Sequence, residues 1–312
     1  MSSGTGKGTP AVQIGVIRGA NERHSQKMRT LIELRSPVQD HLKGYAEANL
    51  HTPGLKSAAP DSYKGKTLAL CGAGPSLRTA VIEGVDEVFG CNSALTYLAD
   101  KGQRVTGGVS VDQTDVMLRD WANPPDVPLF VASTCNPALI THLTKLGRDL
   151  RFFHNFVGFD TAKDAIDNTK EEFDYYCEHW PNNTIFVGSG MTVVSRFLAA
   201  CPILGFERID VYGVDCCFGE DDIAHANGES AETAYGLPII QEGVINGRTY
   251  RTRPDMLMEA VIIAKMVKMS QGRVRLMGDT LPVALLGKSD EFLDSVCVRL
   301  APGELPPDLK II

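Results

Sequence analysis

Thr67-Leu68-Ala69-Leu70-Cys71-Gly72-Ala73-Gly74-Pro75-Ser76-Leu77 is the stretch whose reading decides the fold. A short apolar run ends in a glycine-rich turn, and a helical pattern over Leu77–Glu83 follows. A strand that ends this way turns backbone N–H groups outward at a helix N-terminus, where anions, usually phosphates, bind. Gly72 and Gly74 let a ligand approach the backbone without a Cβ in the way. Pro75 presets φ for the first turn, and Ser76 caps it or bonds a phosphate oxygen. The turn lacks the third glycine of the dinucleotide fingerprint and the Gly-Lys-Ser/Thr ending of a P-loop. It therefore points to a nucleotide in general, while a tight turn that binds nothing would use the same glycines.

Outward from this stretch, short apolar runs alternate with helical patterns at βα spacing, which predicts an α/β fold with a mostly parallel sheet flanked by helices. The strands expected are Thr67–Cys71, Glu87–Gly90, Val105–Val111, Leu129–Ala132, Leu150–Phe153, Thr184–Val187 and Arg208–Val214. The helices expected are Leu77–Glu83, Ser93–Lys101, Pro137–Leu146, Ala162–His179, Thr192–Cys201 and Pro254–Ser270. Asn246-Gly247 between β-prone residues predicts a late hairpin. Residues 1–60 read as an N-terminal appendage, with a partial helical stripe at Met28, Leu31, Ile32 and Leu34 and a Pro/Gly/Ser-rich linker at Asn49–Ser62. Residues 61–312 then form the main domain.

The chain has 312 residues, 43% of them hydrophobic, enough for a sizeable core. A formal net charge of -7 gives no support for general nucleic-acid binding. Long apolar runs and a secretory h-region are both lacking, so a cytoplasmic location and no membrane contact are expected. Eight cysteines include Cys71, Cys91, Cys201, Cys216, Cys217 and Cys297 in apolar runs, without Cys-x-x-Cys spacing. They read as buried free thiols in a reducing compartment, and no metal site is assigned.

Polar residues recur just past strand ends, where open parallel sheets bind ligands. Asn92 caps the following helix, or binds a nucleotide hydroxyl or base. Asp112 closes an apolar strand, where a carboxylate suits a ribose hydroxyl, Mg²⁺, a general-base role or a helix cap. Gly188-Ser189-Gly190 is a second glycine turn before a helix, either a second nest of donors or a packing turn. Asp215 resembles Asp112 in placement. His225, downstream of the acidic run Glu220-Asp221-Asp222, is a candidate acid, base or phosphate ligand.

Taken in order, Gly72-Ala73-Gly74-Pro75-Ser76-Leu77, Cys91-Asn92-Ser93-Ala94-Leu95, Val109-Ser110-Val111-Asp112, Gly188-Ser189-Gly190 and Tyr212-Gly213-Val214-Asp215 with His225-Ala226 resemble one superfamily. It contains the 6-hydroxymethylpterin diphosphokinase-like (MptE-like) proteins and the motility accessory factors that act as nonulosonic-acid glycosyltransferases. Asn246–Thr252 is similar to the later part of those proteins, and the resemblance covers roughly Lys66 to Met277. It implies a Rossmann-like transferase domain with a nucleotide donor. In the pterin branch the donor is ATP with Mg²⁺, and in the glycosyltransferase branch it is an activated sugar. On that analogy Gly72, Ala73, Gly74, Ser76 and Asn92 hold donor phosphate or ribose, and Gly188, Ser189 and Gly190 line the same cleft. Asp112 and Asp215 bind metal, ribose or acceptor, and Asp112 or His225 takes the acceptor proton.

The resulting expectation is a transferase moving a group from a nucleotide donor to a hydroxyl acceptor, with a glycosyltransferase favoured over a diphosphokinase. A non-catalytic nucleotide-binding or assembly module is the alternative from another class, and a homo-oligomer stays open.

Overall fold

Leu68–Cys71 have no exposed surface, as befits a strand covered on both faces by helices. The computed structural model describes residues 41–158, 165–180, 185–188, 190–235 and 241–299. Its strands are β1 (Thr67–Cys71), β2 (Glu87–Cys91), β3 (Gly107–Ser110), β4 (Leu129–Ala132), β5 (Leu150–Asn155), β6 (Phe186–Val187), β7 (Arg208–Tyr212), β8 (Gln241–Ile245), β9 (Arg248–Thr252) and β10 (Val274–Leu276). Eight of them form one sheet in the order β10-β7-β1-β2-β3-β4-β5-β6, and every pair in it is parallel. The chain winds outward from β1 to β6, then returns to place β7 on the other side of β1. The order therefore reverses between β1 and β7, and the crevice at their carboxyl ends is where such sheets take ligands.

The helices are α1 (Leu42–Leu50), α2 (Ser93–Asp100), α3 (Val116–Asp120), α4 (Pro137–Lys145), α5 (Ala165–His179), α6 (Val193–Leu204), α7 (Ala231–Tyr235), α8 (Pro254–Met269), α9 (Leu281–Leu286) and α10 (Asp290–Arg299). An aromatic cluster centred on Phe89, Phe130 and Phe197 fills one face of the sheet. The hairpin β8–β9 closes through Asn246-Gly247, both at positive φ, as a two-residue type I′ turn requires. It packs with α8 and α9 into a second cluster around Leu257, Val261 and Leu285.

Three expectations are corrected. The helix expected over Leu77–Glu83 is a single 3-10 turn, Pro75–Thr79, because Ala80 leaves it in extended conformation. The sheet has an extra edge strand, β10, too short for its alternation to register. The appendage holds an unexpected helix that takes in the first two residues of the expected linker: α1 buries Leu42 and Ala46, and Asn49 donates to the carbonyls of Ser133 and Cys135. The segment after it runs beside β5, with Ala58 N–H donating to Phe152 O. Residues 41–60 are thus seated on the sheet domain, while the stripe at Met28–Leu34 lies outside the described residues. Among the described residues, no helix is long and apolar enough to cross a membrane.

Candidate active site

A cleft of about 610 Å³ lies at the carboxyl edge of the sheet, over the β1/β7 reversal. Gly72, Ala73, Gly74, Asn92, Asp112, Asp215 and His225 all line it. Ser76, Gly188 and Gly190 stand outside its lining, and Ser189 lies outside the described residues.

The glycine turn after β1 does not present an open cradle. Gly72 N–H donates to Tyr212 O and Gly74 N–H to Gly213 O, both at 2.8 Å. The remaining donors of Ser76, its N–H and its hydroxyl, both go to Asp215 Oδ2, at 3.2 and 2.9 Å. A Cβ on Gly72 would sit 2.6 Å from Gly213 O, and one on Gly74 would overlap the Asp215 carboxylate. The glycines are needed because the β1 and β7 turns meet backbone to backbone, not because a phosphate must approach. The Asp215 carboxyl takes the Ser76 donors, so the N–H groups of Gly72, Gly74 and Ser76, expected to hold a phosphate, are engaged within the protein. Burial raises the Asp215 carboxyl, and the Ser76 bonds oppose that rise.

The second glycine turn repeats the arrangement. Glu259 of α8, 1% exposed, accepts Met191 N–H at 2.9 Å and the Thr192 hydroxyl at 2.5 Å. Thr192 and Ser195 cap α6 between them. Gly190 packs against α6, where a Cβ would overlap the Ser195 hydroxyl, and Gly190 O accepts from Arg196 Nε. Beside each glycine turn a carboxylate from a distant segment takes nearby donors, Asp215 those of Ser76 and Glu259 those of Met191 and Thr192.

Asn92 differs. It stands at the N-cap position of α2, yet its side chain makes no cap bond, so the capping alternative falls. Its backbone is at φ 49, ψ -126, a conformation costly for a residue with a Cβ. Three neighbours hold it there. Asn92 N–H donates to Val109 O at 2.9 Å, the buried Trp121 indole donates to Asn92 O at 2.9 Å, and Gly90 lies so close to α2 that a Cβ would overlap Leu95 Cα. Asn92 Oδ1 is buried without a hydrogen-bond partner among the described residues. A strained backbone held in place beside a cleft marks a candidate binding position.

Asp112 faces the cleft from the end of β3, its Oδ1 accepting Thr114 N–H and hydroxyl at 2.8 and 2.7 Å. His225 hangs from a loop tied to the first glycine turn through Ala226 N–H to Ala73 O at 2.8 Å. Its Nδ1 lies 2.8 Å from Glu229 Oε2, which fixes the ring, and Glu229 Oε1 is 3.9 Å from Arg119. Neither Glu229 nor Arg119 stood out in the sequence, although an acid four residues after a histidine was the available signal. Asp222, in the acidic run, pairs with Arg251 at 2.6 Å. Burial pushes the Cys217 thiol up to about 12 and Cys216 well above its ordinary value, so neither is a thiolate nucleophile at neutral pH.

Beyond the cleft, Glu172 of α5 is fully buried and accepts the N–H groups of Val157 and Gly158. Burial pushes its carboxyl up to about 7, against the pull of those two amides. Between about pH 4.5 and about pH 7 the folded protein keeps a proton that the unfolded chain has released. Stability should fall across that window as pH rises, by on the order of 3 kcal/mol, and level off above it. Glu172→Gln should flatten the profile, which thermal unfolding across the window measures; an unchanged slope would assign it to other groups.

A family model described as 6-hydroxymethylpterin diphosphokinase MptE-like matches residues 45–221. No curated protein matches the sequence. Among solved structures, the MAf glycosyltransferase from Magnetospirillum magneticum AMB-1 is similar over 84% of this chain, at 14% identity and a TM-score of 0.53. This chain covers 41% of that protein's length, so the likeness concerns the fold of a part of it. A mammalian sialyltransferase in complex with Gal-beta-1-3GalNAc-ortho-nitrophenol gives 13% identity over 83% of this chain and 87% of that one, with a TM-score of 0.38. Since the family match takes in more than half of the chain, from α1 through β7 and past Asp215, the protein belongs to the MptE-like family.

Proposed function

We propose that the cleft binds a nucleotide donor and transfers a group from it to a hydroxyl acceptor, with a nucleotide sugar as donor. The observation that carries the reading is Asn92, strained, locked and unsatisfied at the rim that it shares with Asp112 and His225. The Asn92 side-chain amide would bond a donor hydroxyl or base, and the uncapped start of α2 would receive the phosphate. Gly72, Ala73 and Gly74 would form the floor beneath it, as backbone surface.

Charge favours the sugar donor. Among the described residues, six carboxylates (Asp112, Asp120, Asp215, Glu229, Asp255 and Glu259) and a single guanidinium (Arg119) line the cleft. A triphosphate meets more repulsion there than a donor with one phosphate. The fold shared in part with a glycosyltransferase is compatible with this chemistry, but fold alone does not decide it. For ATP and a pterin, the family's named activity, Mg²⁺ would offset that charge, with Asp112 and Asp215 as the nearest carboxylates.

In the sugar reaction the acceptor hydroxyl oxygen attacks the anomeric carbon as the bond from that carbon to the donor phosphate oxygen breaks. His225 takes the hydroxyl proton, and the nucleotide leaves with the electron pair. Glu229 holds the imidazole, and Asp112 orients the donor ribose or the acceptor.

Calorimetric titration with cytidine monophosphate, uridine diphosphate and ATP tests the reading. One nucleotide class should bind one-to-one, and Asn92→Gly should weaken it about tenfold, one lost hydrogen bond being worth roughly 1.4 kcal/mol. The same variant should be more stable by about 1 kcal/mol, since glycine tolerates this backbone without strain. Absence of binding by all three nucleotides, or unaltered binding by the variant, would overturn it. AMP release from ATP with a hydroxymethylpterin would instead select the diphosphokinase.

A further inference from the structure

On the other side of the loop that carries His225 lies a second groove of about 570 Å³. Its charged lining residues are Arg78 and Lys101, with Tyr97, Gln103 and Asn227 as polar neighbours and no carboxylate among them. This is the reverse of the cleft, where carboxylates dominate. The loop separates the two: His225 and Glu229 face the cleft, while Ala226 and Asn227 face the groove.

Arg78 is held in place. Its Nε donates to Ala226 O at 2.8 Å, and its Nη2 lies against Gly228, where a Cβ would approach to 3.2 Å. Lys101 Nζ stands 5.7 Å from the centre of the Tyr97 ring. Neither cation has an ion-pair partner among the described residues. Nor are they engaged by the end of α2, whose last carbonyls are closed by the amides of Lys101, Gly102 and Gln103. Two cations facing one concavity without a counter-charge, in a chain of net charge -7, create a local field that attracts anions. A guanidinium already fixed by one bond gives up little freedom when it grips an oxyanion through its other nitrogens.

We propose that this groove is a second ligand site, which receives an oxyanion, phosphate or carboxylate, between Arg78 and Lys101. Tyr97, Gln103 and Asn227 contact the rest of the ligand. Because Arg78 and Ala226 tie the groove to the His225 loop and to the first glycine turn, its occupant sits directly behind the candidate base. The proposal stands apart from the donor reading of the cleft.

The probes are inorganic pyrophosphate for the phosphate source and citrate for the carboxylate source, titrated calorimetrically into the full chain at low ionic strength. At least one should bind saturably, and the one that binds tighter names the source. The double variant Arg78→Gln/Lys101→Gln, confined to exposed side chains, should weaken that binding at least tenfold at an unchanged melting temperature. Asn92→Gly should leave it unaltered. No saturable binding of either probe, equal affinity in the double variant, or loss in Asn92→Gly would overturn the proposal. Failure of nucleotide binding in the cleft, with pyrophosphate binding intact, would sink the donor reading and leave the groove standing.

Discussion

Replacing His225 with glutamine should lower transfer by about 10²- to 10⁴-fold, the range for loss of a positioned general base. Binding of the nucleotide should change little, because the base acts on the acceptor proton. The ring is suited to the role by its surroundings. Glu229 Oε2 holds Nδ1 at 2.8 Å, and the loop is anchored to the first glycine turn by Ala226 N–H and to Arg78 by Ala226 O. Glu229→Ala should cost roughly ten- to a hundred-fold, the usual penalty for loss of an orienting partner. Glu229→Gln should recover part of it, since its amide oxygen still accepts from Nδ1. Steady-state transfer with the sugar nucleotide that binds best, alongside calorimetric affinities, separates these effects. Full activity in His225→Gln would remove histidine from the chemistry and leave Asp112 as the base.

Gly90→Ala should be the most damaging single substitution for folding. The added Cβ would overlap Leu95 Cα and lie 2.5 Å from Leu95 N, so it meets backbone that no rotamer change can move. Relief requires α2 to shift off β2, which would open the packing of Ala94, Leu95 and Leu98, all buried. A loss of about 3 kcal/mol or more follows from overpacking plus the displaced core side chains. Gly44→Ala is the control. It lies inside α1 with open space at its Cβ position, and should gain about 0.5–1 kcal/mol. Urea unfolding of both variants checks the pair, and equal midpoints would show that α2 is free to move. Because the same contact locks Asn92, any folded Gly90→Ala protein should also bind nucleotide poorly.

Much of the fold was legible because its signals are local. Leu129–Ala132 is an apolar run bounded by turns, Arg208–Tyr212 alternates polar and apolar residues, and Asn246-Gly247 fits one kind of two-residue hairpin. The placement of Asn92, Asp112, Asp215 and His225 along a single cleft followed from strand ends sharing one edge of a parallel sheet. The misreadings came where a distant partner decides. Helix Leu77–Glu83 shrank to one 3-10 turn beside Asp215, and α1 is held by Asn49 to carbonyls 84 and 86 residues away.

The sequence by itself determined the alternating architecture and the edge of the sheet where the candidate residues gather, because hydrophobic period and turn chemistry act over a few neighbours. Only the tertiary structure decided which donors remain for a ligand. Asp215 meets Ser76 across 139 residues and Glu259 meets Met191 across 68, so carboxylates that no local pattern could pair with them take donors beside each glycine turn. Asn92 was left strained and unsatisfied because Trp121, Val109 and the contact of Gly90 with Leu95 converge on it in space, and that convergence is a property of packing.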